Sequence, residues 1–222
     1  MKGVKLLVTG LESSGKSTIT SKIKDALVIN FDNKEYNFEV ANADFREYTG
    51  LDSVIDFINN KLVAYKEKNG KFPKVLVIDT VTQLYSSMVL YNSKKYTGFN
   101  IHSQNNVDTL DLNNYFEDVI LANGVDLVVV AHTIFDPDTK AYTIKSQGQF
   151  RDAGSWLSIT NDSIFIEKRN GKLTVFLNDI KYPSRTSLEN LEEKMTIDEY
   201  DINTHLDKLR NSKETIQNKF KL

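Results

Sequence analysis

The sequence predicts an α/β protein in which a mainly parallel central sheet is flanked by helices. Three observations carry this. Apolar runs of strand length occur at residues 4–9, 27–32, 75–79 and 127–131; segments with helical spacing separate them; and Gly, Asn and Pro signals mark the joins. A chain of 222 residues with 40% hydrophobic and 26% charged residues can bury one core and lies far from the composition of disordered chains. The expected organisation is a core over residues 1–187 and a charged helical tail over 188–222.

Residues 4–9 end at a glycine and run into a helix-compatible segment over 16–26, giving strand, Gly-rich turn, helix. Residues 27–32 read as a second buried strand and 36–41 as a third, shorter one. Leu51, Val54, Ile55, Ile58 and Leu62 recur at helical spacing until Asn69-Gly70 and Pro73 stop them. The strand 75–79 precedes a helix over 80–91, and the polar, aperiodic stretch 92–106 reads as a long loop.

Leu110, Leu112, Tyr115, Phe116, Val119 and Ile120 mark a further amphipathic helix, closed by Asn123-Gly124. After the strand 127–131, residues 132–154 read as a second long loop. Strands over 163–167 and 172–177 flank Arg169-Asn170-Gly171, a hairpin turn, and the core is expected to end there. Beyond Leu188, Ile202, Leu206 and Leu209 share one helical face, as in a helical tail docked on the core; an oligomerisation or regulatory segment is the alternative.

With 28 Lys+Arg against 30 Asp+Glu, the chain has no overall positive field to draw in nucleic acid, so any such contact must be local. The absence of cysteine excludes disulfides, thiolate metal sites and Cys nucleophiles. The apolar run at the start is too short for a signal peptide, and no run approaches the ~18 apolar residues of a membrane span. A soluble, cytoplasmic protein without membrane contact is expected.

Gly10-Leu-Glu-Ser-Ser-Gly15-Lys16-Ser17 matches the phosphate-loop pattern G-x-x-x-x-G-K-[ST] and lies between a buried strand and a helix, as its mechanism requires. The glycines let successive N–H groups turn into one concavity, where the helix N-terminus adds partial positive charge. Lys16 then bridges the outer phosphates of a nucleotide, the Ser17 hydroxyl completes part of a magnesium shell, and Thr18 is a second hydroxyl beside it. Asp79, ending the apolar strand Val75-Leu-Val-Ile-Asp79, supplies the carboxylate that magnesium needs opposite the loop.

The loop Gly10-Leu-Glu12-Ser13-Ser14-Gly-Lys-Ser-Thr18 resembles that of the RecA recombinases, including the Glu-Ser-Ser interior that the general pattern does not demand. Val77-Ile-Asp79-Thr-Val-Thr-Gln-Leu84 is similar to the strand and helix that carry their magnesium aspartate. The likeness extends more loosely from Val4 to Arg185, and the chain's size is similar to that of phage-encoded, core-only RecA-like ATPases of the Sak recombination group. The resemblance implies a RecA-like core that binds and hydrolyses ATP with Mg2+ while acting on single-stranded DNA in recombination, annealing or repair. A homo-oligomer, and a single-strand-binding protein as partner, are implied with it.

The resemblance also implies a carboxylate that polarises the attacking water, for which Asp32 and Glu35 both stand at the right place. Where the family often carries a γ-phosphate-sensing Gln, this chain has His132; His102 and His205 read as ordinary loop and tail residues. The two long loops take the positions of DNA-binding loops, the first with Lys94, Lys95, Tyr96 and Phe99, the second with Phe135, Lys140, Lys145, Phe150 and Arg151. Cations beside rings suit single strands, since charge follows phosphates while rings stack on any base. Lys181 and Arg185 resemble a basic pair inserted into a neighbour's active site. The chain opens only a few residues before its first strand, so the N-terminal segment with which RecA grips its neighbour is expected to be lacking; filament, ring and monomer stay open.

A nucleotide or small-molecule kinase shares the phosphate loop but needs an acceptor pocket and an Arg-rich lid, and the arginines here are scattered. A GTPase fits less well, since Asp79-Thr-Val-Thr lacks the glycine expected after the aspartate and no guanine-reading Asn-Lys-x-Asp is present. The non-enzymatic alternative is a DNA-binding or annealing module with structural nucleotide.

Overall fold

The computed structural model describes residues 2–32, 34–144, 156–189 and 191–219. Strand β1 (Lys5–Gly10) leads through α1 (Lys16–Thr20) to β2 (Ala26–Asn30), β3 (Ala41–Asp44), α2 (Leu51–Asn69), β4 (Val75–Asp79), α3 (Val81–Lys95) and α4 (Phe99–Tyr115). A π turn over Phe116–Ile120 and a 3-10 turn over Leu121–Asn123 follow. Then come β5 (Asp126–Asp136), β6 (Ala141–Ile144), α5 (Trp156–Ile159), β7 (Asp162–Arg169), β8 (Lys172–Phe176), β9 (Lys194–Thr196) and α6 (Ile202–Lys219).

The strands form one sheet in the order β3-β2-β4-β5-β1-β7-β8-β9, with β6 paired to the outer part of β5. The pairs from β3 across to β7 are parallel; β7–β8, β8–β9 and β5–β6 are antiparallel. This is the expected α/β class. Helices cover both faces, so β1, β2 and β4 are buried at every position rather than alternating between buried and exposed. On β1, Leu7 joins the core formed with α2, α3 and α4, whereas Leu6 and Val8 join a second core with Ile19 and with Ile202, Leu206 and Leu209 of α6.

Several local expectations are corrected. The third strand lies at Ala41–Asp44 instead of 36–41; Tyr36 and Val40 pack against the second core. Helix α1 stops at Thr20, short of residue 26: Lys22 and Ile23 N–H bond back three residues to the Ile19 and Thr20 carbonyls in tight turns, and Asp25 with φ 53° leads into β2. Asn203 of α6 satisfies the backbone groups so released, accepting from Lys24 N–H at 2.9 Å and donating to the Lys22 carbonyl at 3.0 Å.

The stretch 92–106 is no loop: α3 runs to Lys95 and α4 begins at Phe99. Its helical periodicity is masked because the facing positions are polar. Asn92 donates to Asn105 at 2.9 Å and to Asp108 at 2.8 Å, all three being buried, and Gln104 donates to Asp108 at 2.7 Å. The second expected loop is in part a hairpin, since β5 continues to Asp136 and pairs with β6, Thr133 opposite Ile144.

Asn69-Gly70 ends α2 as expected, Gly70 adopting φ 73° with its N–H donating to the Lys66 carbonyl at 2.8 Å. Past residue 188, β9 extends the sheet edge and α6 lies on the second core, with Tyr200, Ile202, Leu206 and Leu209 buried. His205 is not an ordinary tail residue but a buried one. Its Nε2 lies 2.9 Å from Asp162 on β7 and its Nδ1 3.0 Å from the Tyr200 hydroxyl. Among the described residues, no helix is long and apolar enough to cross a membrane.

Candidate active site

Parallel pairing aligns the carboxyl ends of β2, β4, β5, β1 and β7. Gly10 stands opposite His132 on β5 and Ile166 on β7, while Asp79 stands opposite Asn30 and Val130. Ligands bind at this edge of a parallel sheet. A cavity of about 340 Å³ opens there, lined by Glu12, Ser13, Ser14, Gly15, Lys16, Ser17, Thr18, Asp32, Asp79 and His132, and by Lys34, Thr80, Lys168 and Leu173.

The loop over residues 10–15 needs its glycines. Gly10 has φ 155°, and a Cβ there would stand 2.4 Å from Ser14 Oγ and 2.6 Å from the Ile166 carbonyl; Gly15 has φ 91°. Gly10→Ala is therefore expected to lower stability by about 1–3 kcal/mol, read from urea unfolding, and to weaken nucleotide binding as the loop is displaced. An unchanged unfolding midpoint would contradict this packing.

Lys16 is buried and donates from Nζ to the Leu11 carbonyl at 2.6 Å and the Gly10 carbonyl at 3.1 Å. Burial lowers its pKa to about 8, against the pull of Asp79, Glu12 and Asp32. Asp79 is also buried and accepts from Ser17 Oγ at 2.9 Å. Burial raises its pKa to about 6, and the Asp32 charge adds to this, while the Ser17 hydrogen bond and Lys16 oppose it. Thr80 then caps α3, its hydroxyl accepting from Gln83 N–H at 3.2 Å.

His132 is held by its backbone N–H, which donates to Thr82 Oγ1 at 2.9 Å. Burial and then Lys16 lower its imidazole pKa, so the ring is neutral at pH 7. Its Nδ1 and the Ser14 hydroxyl are buried and have no hydrogen-bond partner among the described residues.

The two candidate carboxylates differ in placement: Asp32 lines the cavity, whereas Glu35 is exposed and does not. Arg185 is exposed, with Nη2 donating to the Thr160 carbonyl at 2.6 Å, and Lys181 lines a separate groove with Arg169 and Lys194. Lys94 and Lys95 end α3, Tyr96 follows as its cap, and Phe99 opens α4. Phe135 and Lys140 belong to the β5–β6 hairpin and its turn. Lys145, Phe150 and Arg151 lie outside the described residues.

Sequence reasoning missed Lys34, Thr80, Lys168 and Leu173. The last two form a cross-strand pair in the β7–β8 hairpin, which the turn at Asn170-Gly171 signals. Only the pairing of β7 with β1 brings that hairpin to the phosphate loop.

The donor set fits a nucleotide with magnesium. Residues of the phosphate loop, Lys16 among them, line one cavity, and Ser17 with Asp79 offers the few oxygen ligands magnesium takes from protein when phosphates and water supply the rest. Among the described residues, no group of three His, Cys, Asp or Glu could hold a metal by itself.

Fold and cavity thus define a P-loop, nucleotide-binding ATPase-like domain. The chain belongs to the AAA domain family, whose profile matches residues 2–115, spanning the phosphate loop and Asp79. The chain has no match among curated proteins.

Proposed function

We propose that this protein is a RecA-like ATPase, close to the phage-encoded, core-only Sak group, that binds ATP with Mg2+ and acts on single-stranded DNA in recombination, annealing or repair. The observation that carries the reading is the convergence of Lys16, Ser17, Asp79, Asp32 and His132 on one cavity at the carboxyl edge of the sheet. Here the loop amides and Lys16 hold the triphosphate, while Ser17 and Asp79 hold magnesium, whose charge when bound offsets that of the phosphates. Asp32 orients the attacking water and accepts its proton; the water oxygen bonds to the γ-phosphorus as the bond to the β–γ bridging oxygen breaks. His132, neutral, reads the γ-phosphate.

Arg185 and Lys181 serve a neighbouring subunit; both are exposed and neither lines the cavity of its own chain, as a role in trans requires. Support for the DNA role comes from exposed cations beside rings. Lys95 Nζ lies 5.4 Å from the Tyr91 ring and 5.8 Å from that of Tyr96, Phe99 is 82% exposed, and Phe135 is 52% exposed. A homo-oligomer in the cytoplasm, the host's if phage-encoded, with a single-strand-binding protein as partner, belongs to the same reading.

The test is ATP hydrolysis with and without single-stranded DNA, using wild type and Lys16→Ala. Stimulated turnover that the variant loses is expected. Phosphate transfer to an added nucleoside monophosphate would instead make the protein a kinase, and DNA binding without turnover an annealing module.

A further inference from the structure

Around the cavity, charged and polar groups dominate; among the described lining residues the one apolar side chain is Leu173 of β8. Leu173 pairs across the ladder with Lys168, so both project to the same face of the hairpin. The ladder continues beyond β9, where Ile197 N–H donates to the Leu173 carbonyl at 3.1 Å. Leu173 and Ile197 close over the second glycine of the phosphate loop. Their Cδ1 atoms lie 3.2 Å and 3.8 Å from where a Cβ on Gly15 would stand. Both are half-buried and pack in part on the core that Tyr200 and Ile202 share.

A nucleoside triphosphate is highly charged at one end and carries a flat ring with apolar faces at the other. Lys16, Ser17 and Asp79 match the charged end. The ring needs an apolar surface, and along this cavity that surface lies at the β7–β8 hairpin. We infer that Leu173, backed by Ile197, is the shelf on which the nucleobase rests. This rests on the ATP reading above and deepens it: a base lying on aliphatic groups is held by its ring face, and the hairpin contributes the affinity that distinguishes a nucleotide from a bare phosphate chain.

The test compares equilibrium binding of Mg-ATP and Mg-tripolyphosphate, the latter carrying a phosphate chain and no base, to wild type, Leu173→Ser and the conservative Leu173→Met. Removing the apolar contact is expected to weaken Mg-ATP about tenfold while leaving Mg-tripolyphosphate within about twofold, and Leu173→Met should keep both near wild type. Retained tripolyphosphate binding also shows that the variant is folded. Unchanged ATP affinity in Leu173→Ser, or an equal loss for both ligands, overturns the shelf. Wild type that binds both ligands equally sinks the shelf alone; wild type that binds neither overturns the ATP reading with it.

Discussion

Replacing Lys16 with alanine is expected to lower ATP turnover at least about 100-fold, the scale for removing one charge-stabilising donor from a transition state. The change is expected to cost the unliganded protein little. Burial holds the folded-state pKa of Lys16 at about 8, below that of the unfolded chain, so the ammonium carries a penalty at pH 7 that fades as pH rises above 8. Truncation removes that penalty together with the charge-assisted hydrogen bonds to the Leu11 and Gly10 carbonyls, worth about 1.5–3 kcal/mol each, and these effects oppose one another. In thermal unfolding, Mg-ATP at 100 times its Kd should stabilise wild type by about 2.7 kcal/mol and the variant not at all. A variant that keeps the full ligand-induced shift would remove Lys16 from the phosphate site.

The second large effect is a bell-shaped pH dependence of Mg-ATP affinity, with its plateau between about 6 and about 8. Magnesium requires the Asp79 carboxylate, which protonates as pH falls through about 6; the phosphates favour the Lys16 ammonium, which is lost as pH rises through about 8. Each limb should fall by up to about tenfold per pH unit. The stability of the unliganded protein moves the other way. The penalty for ionised Asp79 exists above pH 6 and is relieved on acidification, while that for Lys16 exists below pH 8 and is relieved on alkalinisation. ATP titrates in its own right near the acid limb, so the comparison is with Asp79→Asn, which should bind more weakly at pH 7 and lose the part of the acid limb owed to Asp79. Identical acid limbs in isothermal titrations of the two proteins would show that Asp79 does not carry the metal.

The parts of the site legible in the sequence share a property: each is encoded by neighbours along the chain. The loop from Gly10 to Ser17 needs consecutive amides, and Asp79 needs only the apolar strand that it ends, so local order suffices to recognise both. The α3–α4 hairpin was hidden because Asn92, Asn105 and Asp108 satisfy one another inside the core, which breaks the apolar period that helix reading depends on. The burial of His205 escapes local patterns for a related reason, since its partner Asp162 lies 43 positions away on β7.

By itself, then, the sequence determined the α/β class, the phosphate loop and the strand-end aspartate, because apolar period and contiguous turn chemistry are local properties. Tertiary structure decided which of Asp32 and Glu35 lines the cavity, placed His132 opposite Gly10, and brought Lys168 and Leu173 to the phosphate loop. Those placements follow from strand order and register, which arise when distant segments bury their apolar faces together, and no local pattern encodes them.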